Sequence, residues 1–325
     1  MFACLFFLLS FFQPIYAQTP EYSDLDEIFY HINQQDIQEL KRLSSKRLEM
    51  LRNRQEALKQ EREGTLRVAI LGNSALKYTK EGFNDELLQL MFDNIVEADV
   101  HAVFFIGPFV APGISLDTFQ KLTKQYLGDI PLYLTPDSQE IIEKFKLPVS
   151  ESFQRGYTIL LKNTFFAVFS NGDGEEPEQL IEWLDSHLQR HIGNYRFVLG
   201  NPAAFSTHAT EGSYEGMDRW PYFRNQFWDL LRRGDVEAYF GSNEILYDRS
   251  YRTGVWQILT GGAGATRTYE VRDDTFYHFV LLTIPQDRSG PLVEVFDIQG
   301  RKRDGLRLNT QMPAITQFRI STSVN

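Results

Sequence analysis

The stretch Leu66-Arg67-Val68-Ala69-Ile70-Leu71-Gly72-Asn73-Ser74-Ala75 constrains the chain more than any other. Its apolar run has no polar alternation, stops at a glycine and hands over to small polar residues. A strand with that pattern is covered on both faces, which requires a layered α/β arrangement. In such proteins the ligand site lies just beyond the strand ends. Asn73 is therefore expected in any site the chain possesses.

The sequence on either side keeps the same rhythm. After Gly64 come a strand over 66–71, an amphipathic helix over 84–97, a strand over 101–106, a helix over 115–126 and a strand over 132–134. Strands follow over 157–161 and 165–169, then a helix over 177–189 that begins on Pro177, a residue suited to a first helical position. A strand over 195–199, a helix over 225–233 and a strand over 236–240 complete the alternation. The last quarter is β-rich, with strands over 255–259, 276–283, 292–297 and 306–308. The chain has 325 residues, 42% hydrophobic and 14% aromatic, enough for one large core, with no repeat or low-complexity tract.

Ahead of this domain lie two segments of different character. Residues 1–17 carry no charge, have an apolar block from Leu5 to Phe12 and end on Ala17, which is a signal-peptide pattern and implies a secreted or periplasmic protein. The alternatives are an uncleaved membrane anchor, for which the block is short, or a buried N-terminal helix. The lone cysteine, Cys4, falls in this segment, so removal of the segment leaves neither a disulfide nor a thiolate. Residues 18–64 form an acidic stretch followed by a charged helix over 35–63. That helix either packs on its own domain or contacts a partner protein. The net charge of −10, from 43 acidic and 33 basic residues, argues against nucleic-acid binding and leaves an unidentified protein or small molecule as partner.

Five strands end in polar turns containing Gly or Pro: Gly72-Asn73, Gly107-Pro108, Pro136-Asp137-Ser138-Gln139-Glu140, Gly200-Asn201-Pro202 and Gly241-Ser242-Asn243-Glu244. Leu180-Ile181-Glu182-Trp183-Leu184 and Gly261-Gly262-Ala263-Gly264-Ala265 accompany them. In this order and spacing, over residues 66–310, the chain resembles the calcineurin-like metallophosphoesterases, in particular the purple-acid-phosphatase branch. The resemblance implies a four-layer αββα sandwich with mixed sheets over 65–325. It also implies that the five turns stand where that family holds its two-metal centre.

Carried over by position, the resemblance breaks at the chemistry. Asn73 stands where the first Asp is expected, Ala75 where a His or Gly follows, and Pro108 where the bridging Asp belongs. Ser138 and Gln139 replace the Asn and catalytic His of the third turn, Gly200 or Asn201 the next His, and Ser242 and Glu244 the two histidines of the last turn. An amide is a weak ligand, alanine and proline side chains are none, and without a bridging carboxylate two divalent charges are not offset. None of His31, His101, His187, His191, His208 and His278 falls in the five turns; His208 alone lies in a loop near their expected mouth.

No catalytic residue and no cofactor is expected. Asn73, Pro108, Asp137, Ser138, Gln139, Asn201, His208, Ser242, Asn243 and Glu244 remain as candidates for a rim that binds something else. Asp137, Glu140 and Glu244, with Asp248, offer oxygen ligands for Ca²⁺ or Mg²⁺ as an alternative to ordinary turn chemistry. Tyr214, Trp220, Tyr222 and Phe223 are candidates to line a cleft, or else to anchor the 202–223 loop. The expected function is an exported, non-catalytic binding or scaffold protein; the alternative is a phosphoester hydrolase with a carboxylate-based or single-metal centre.

Overall fold

The computed structural model describes residues 64–308 apart from 76–79, 81, 112–114, 171–176, 192–193, 208–215, 266–275 and 288. The signal-peptide pattern and the helix expected over 35–63 lie outside the described residues. Two six-stranded sheets face each other. The first contains β1 (Leu66–Gly72), β2 (Ala102–Ile106), β3 (Leu132–Leu134), β10 (His278–Ile284), β11 (Leu292–Asp297) and β12 (Lys302–Arg307), in the order β12-β11-β10-β1-β2-β3. The second contains β4 (Gly156–Leu161), β5 (Thr164–Phe169), β6 (Tyr195–Gly200), β7 (Ala238–Gly241), β8 (Tyr247–Arg252) and β9 (Val255–Thr260), in the order β4-β5-β6-β7-β9-β8.

Both sheets are mixed. β1, β2 and β3 are parallel and flanked by antiparallel β10 to β12, while β5, β6, β7 and β9 are parallel between antiparallel β4 and β8. The uninterrupted apolar runs follow from what each face meets. Phe104 of β2 stacks on Phe166 of β5 across the sheet interface, with ring centroids 4.8 Å apart. The next residue, Phe105, turns the other way onto Phe119, 5.6 Å distant. In β5, Phe166 and Val168 join the core between the sheets, whereas Phe165, Ala167 and Phe169 join the core beneath the outer helices. Each fully buried Phe side chain contributes roughly 1.5–3 kcal/mol by removal from water.

The helices close both outer faces. α1 (Asp85–Glu97) and α2 (Leu116–Leu127) cover the first sheet. α4 (Pro177–Arg190) and α5 (Pro221–Arg233) cover the second, so the four-layer αββα sandwich implied by the resemblance is the observed architecture. Caps fix where the helices begin. Asn84 accepts the Leu87 N–H at 3.0 Å and Ser115 the Asp117 N–H at 3.2 Å, each an orphan donor at a helix N-terminus. Among the described residues, no helix is long and apolar enough to cross a membrane.

Three elements depart from the sequence expectation. Residues 136–140, read as a turn, instead lead into α3 (Gln139–Phe145), with Ser138 as its N-cap, 3.3 Å from the Ile141 N–H. β8 was not expected, and β12 spans Lys302–Arg307 where only 306–308 read as strand. Both are edge strands rich in charge, which hides the apolar period that marks a strand.

Those charges lace the sandwich shut. Asp304 of β12 accepts the Tyr247 hydroxyl at 2.6 Å and the Arg249 guanidinium at 2.9 Å, tying the edge of one sheet to the edge of the other. On the opposite side, the Tyr157 hydroxyl of β4 donates to the Leu134 carbonyl of β3 at 2.6 Å. Burial pushes the Tyr157 phenol well above its ordinary range, so it stays a donor.

His278, at the start of β10, is fully buried. Its Nδ1–H donates to the Phe276 carbonyl at 2.8 Å, which leaves Nε2 as a bare lone pair with no partner among the described residues. Burial lowers its pKa from 6.5 to about 4. Between those values the unfolded chain binds a proton that the folded chain refuses. Stability is therefore undiminished above pH 6.5 and falls as the pH drops toward 4, by up to about 3 kcal/mol. Thermal unfolding between pH 7 and pH 4 should show a shallower acid loss in His278→Asn than in the wild type. Equal slopes would contradict the buried neutral imidazole.

Candidate functional site

All five turns leave the C-terminal ends of parallel strands, which places them at one end of the sandwich. The approach is close. A Cβ placed on Gly72 would strike the Ser242 side chain and the Ile106 carbonyl. One placed on Gly107 would lie 2.6 Å from Asn201 Oδ1 and closer still to Ser242 Oγ. Gly107 also has φ of +83°, a conformation that glycine alone adopts without cost. The first, second, fourth and fifth turns therefore meet in direct contact.

Their polar groups bond to one another. Asn73, in the left-handed region at φ 62° that Asn tolerates, donates from Nδ2 to the Ser242 carbonyl at 3.4 Å. The Ser242 hydroxyl donates to Asn201 Oδ1 at 3.1 Å, and the backbone N–H groups of Ser242 and Asn243 both donate to the Asn201 carbonyl at 2.9 Å. Pro108 supplies a backbone carbonyl that accepts from Ser74 at 3.0 Å and Ala75 at 3.2 Å. The Gly261–Ala265 stretch closes the far side, with Ala263 N–H on the Gly72 carbonyl and Ala265 N–H on the Asn73 carbonyl, each at 3.0 Å.

The third turn reaches this junction through one threonine. The buried Thr135 hydroxyl accepts the Gly107 N–H at 3.0 Å and donates to Asp137 Oδ2 at 2.9 Å. Desolvation of the Asp137 carboxyl pushes its pKa up, opposed by the Ser170 and Thr135 hydroxyls and the Arg155 guanidinium, although other parts of the residue remain exposed. Asp137, Ser138 and Gln139 open onto a polar cleft of about 430 Å³ whose other walls include Glu151, Gln154, Arg155 and Gln179. This cleft leads away from the junction toward α4.

Glu244 does not stand on a rim. It is fully buried, and its carboxylate takes the Thr207 N–H at 3.3 and 3.2 Å and the Thr207 hydroxyl at 2.6 Å. It is one of four side chains that capture the backbone of the loop after β6. Asn243 Oδ1 accepts from Ala203 N–H at 2.5 Å, Gln257 from Phe205 N–H at 2.8 Å, and Asp218 from Ser206 N–H at 2.8 Å. Phe205 is further held by the Arg224 and Arg252 guanidinium groups, which lie over its ring at 4.9 and 4.2 Å from the centroid.

His208 and Tyr214 lie outside the described residues. Phe223 is buried under the second sheet, while Trp220 and Tyr222 are exposed. Sequence reasoning missed Thr135, Thr207 and Gln257, which carry no local signal because their partners lie far along the chain. It also set His278 aside, although His278 N–H bonds to the Gly262 carbonyl at 3.1 Å, one step behind the junction.

No family model and no curated protein matches the chain. Solved structures do. The chain is similar to the purple acid phosphatase PPD1 from yellow lupin (Lupinus luteus) seeds, with TM-score 0.59 and 17% identity over 74% of this chain and 53% of that one. The fold is that of the calcineurin-like metallophosphoesterases. The chain is also similar to GAP50, the anchor in the inner membrane complex of Plasmodium, with TM-score 0.53 and 14% identity over 75% of this chain and 89% of that one. The chain spans about half the length of the lupin phosphatase.

A metallophosphoesterase centre needs anionic and imidazole ligands around two ions about 3.5–4 Å apart. The donor set at this junction is a primary amide, a hydroxyl and backbone carbonyls, already satisfied by one another. It does not fit that centre, because neutral donors leave two divalent charges uncompensated. Among the described residues, no three His, Cys, Asp or Glu side chains gather as a cation ligand set. Asp137, Glu140 and Glu244 in particular do not come together.

The contact at Gly107 is the part of this arrangement most sensitive to a single methyl group. Gly107→Ala should cost about 2–4 kcal/mol, from the positive φ and the collision with Ser242 and Asn201. Chemical denaturation would read it as a lowered midpoint at unchanged slope. A variant as stable as the wild type would mean the turns do not meet so closely.

Proposed function

We propose that the chain is an exported, non-catalytic binding or scaffold protein built on the metallophosphoesterase fold. The observation that carries this reading is the mutual hydrogen bonding of Asn73, Asn201 and Ser242 where the fold family holds metal ions. Asn73 is used there as a donor to a carbonyl, a role a carboxylate at the same place does not perform. GAP50, described as an anchor, supports the view that this fold can serve attachment, and we extend that role to this chain. The uncharged apolar segment at residues 1–17 supports export. The charged segment over 35–63, expected from its sequence to be helical, is a second candidate contact surface.

A hydrolase with an altered centre is the competing reading, favoured by one observation. Asp137, with a pKa raised by desolvation, is one of the residues that line a polar cleft of about 430 Å³, as is Arg155, a setting suited to a general acid. Elemental analysis of the purified protein, with phosphomonoester and phosphodiester assays in added Mn²⁺, Fe²⁺, Zn²⁺ or Ca²⁺, separates the two. The scaffold reading expects less than stoichiometric metal and no turnover above the blank. Turnover that disappears in Asp137→Asn or Glu244→Ala would overturn it.

A further inference from the structure

The four edge strands of the sandwich are not protected alike. β8 carries Asp248, Arg249 and Arg252, β12 carries Lys302, Arg303, Asp304 and Arg307, and β3 is only three residues long. Charge and shortness are the usual defences of an edge against pairing with another chain. β4, with the sequence Gly-Tyr-Thr-Ile-Leu-Leu, has neither. It contains no charge, no proline and no irregularity in its register with β5.

The register shows which of its backbone groups point outward. β4 and β5 are joined by the two-residue turn Lys162-Asn163, both at positive φ, which makes Leu161 and Thr164 a hydrogen-bonded pair. Alternation then gives Tyr157, Ile159 and Leu161 to β5 and turns the N–H and C=O of Thr158 and Leu160 away from it. The neighbouring outward residue, Gly156, confirms the phase, because its carbonyl accepts from Ser150 at 2.8 Å and its N–H donates to Phe153 at 3.0 Å. Among the described residues, no further hydrogen bond is made to the backbone of Thr158 or Leu160. The Leu160 side chain is 55% exposed on the same strand.

We propose that β4 pairs antiparallel with the β4 of a second copy of this chain, joining the second sheets of two molecules across a two-fold axis. The strand is self-complementary. Centred on Ile159, the pairing sets Thr158 of each copy opposite Leu160 of the other and satisfies all the outward groups with about four hydrogen bonds. Ile159 meets its own counterpart, and no charged residue of the strand faces a like charge. A partner recognised by charge would find nothing on this edge to read, whereas a second copy offers matching apolar residues. The contact is isologous and closed, so it makes a dimer rather than a filament. A pairing of five residues a side, Tyr157 to Leu161, is small, so the dimer is of the weak, concentration-dependent class.

Light scattering coupled to size-exclusion chromatography, over a range of concentrations of the full chain, should show the mass rising toward that of two chains. Leu160→Pro removes an N–H that β5 does not use, and Pro is tolerated on such edges. It should leave circular dichroism and thermal midpoint nearly unchanged while weakening the dimer about tenfold or more. Leu160→Lys, which keeps the N–H but charges the edge, should weaken it likewise and guards against misfolding of the proline variant. Amide exchange of Thr158 and Leu160 should slow as concentration rises. A chain that stays monomeric at its highest soluble concentration would overturn the proposal, as would a dimer indifferent to both variants or concentration-independent protection of these two amides.

Discussion

The near-collision of Gly72 and Gly107 with Ser242 and Asn201 decides how the two halves of the sandwich close at the end where the turns meet. Strand ends from both sheets converge there, β1 and β2 from one and β6 and β7 from the other. Residues without side chains on the first sheet are what allow small polar side chains from the second to come within hydrogen-bonding distance. With that approach made, the remaining donors and acceptors have short and mutual solutions. Asn73 reaches the Ser242 carbonyl, Ser242 reaches Asn201, and the Gly261–Ala265 stretch adds its N–H groups to the carbonyls of Gly72 and Asn73. The junction consumes these polar groups internally, the kind of network that favours one arrangement.

The same logic extends outward in two directions. Thr135 links the Gly107 turn to Asp137 and so to the polar cleft that Gln179 of α4 helps to line. Glu244, Asn243, Gln257 and Asp218 hold the loop after β6 by four backbone N–H groups. A buried carboxylate such as Glu244 is tolerable only when hydrogen-bonded, and Thr207 supplies those bonds. In the fifth turn, the side chains of Asn243 and Glu244 are spent on anchoring that loop.

The architecture was legible from the sequence because its signals are local. Runs such as Ala102–Ile106 and Thr164–Phe169 are apolar on both faces, and each parallel strand ends in a turn residue that breaks the run. The order of five such turns carried the family resemblance. The substitutions at Asn73, Pro108 and Ser242 were visible too, since they concern residue types at expected positions. What the sequence could not reveal depends on distance in space. The pairing of Glu244 with Thr207, 37 residues apart, leaves no periodic trace. The capping role of Ser138 was obscured by a seven-residue helix that looks like a turn. β8 and β12 were obscured by the very charges, Arg249 and Asp304, that fasten the two sheets together.

The central claim is that the strand ends hold one another with neutral groups in the place where the family resemblance puts a two-metal centre. Crystals of the full chain grown with excess Zn²⁺ or Mn²⁺, with diffraction recorded at the metal's absorption edge, test it directly. The account predicts no anomalous peak bounded by Asn73, Gly107, Asn201 and Ser242, and an intact hydrogen bond between Ser242 and Asn201. A pair of peaks about 3.5–4 Å apart at that junction would contradict it.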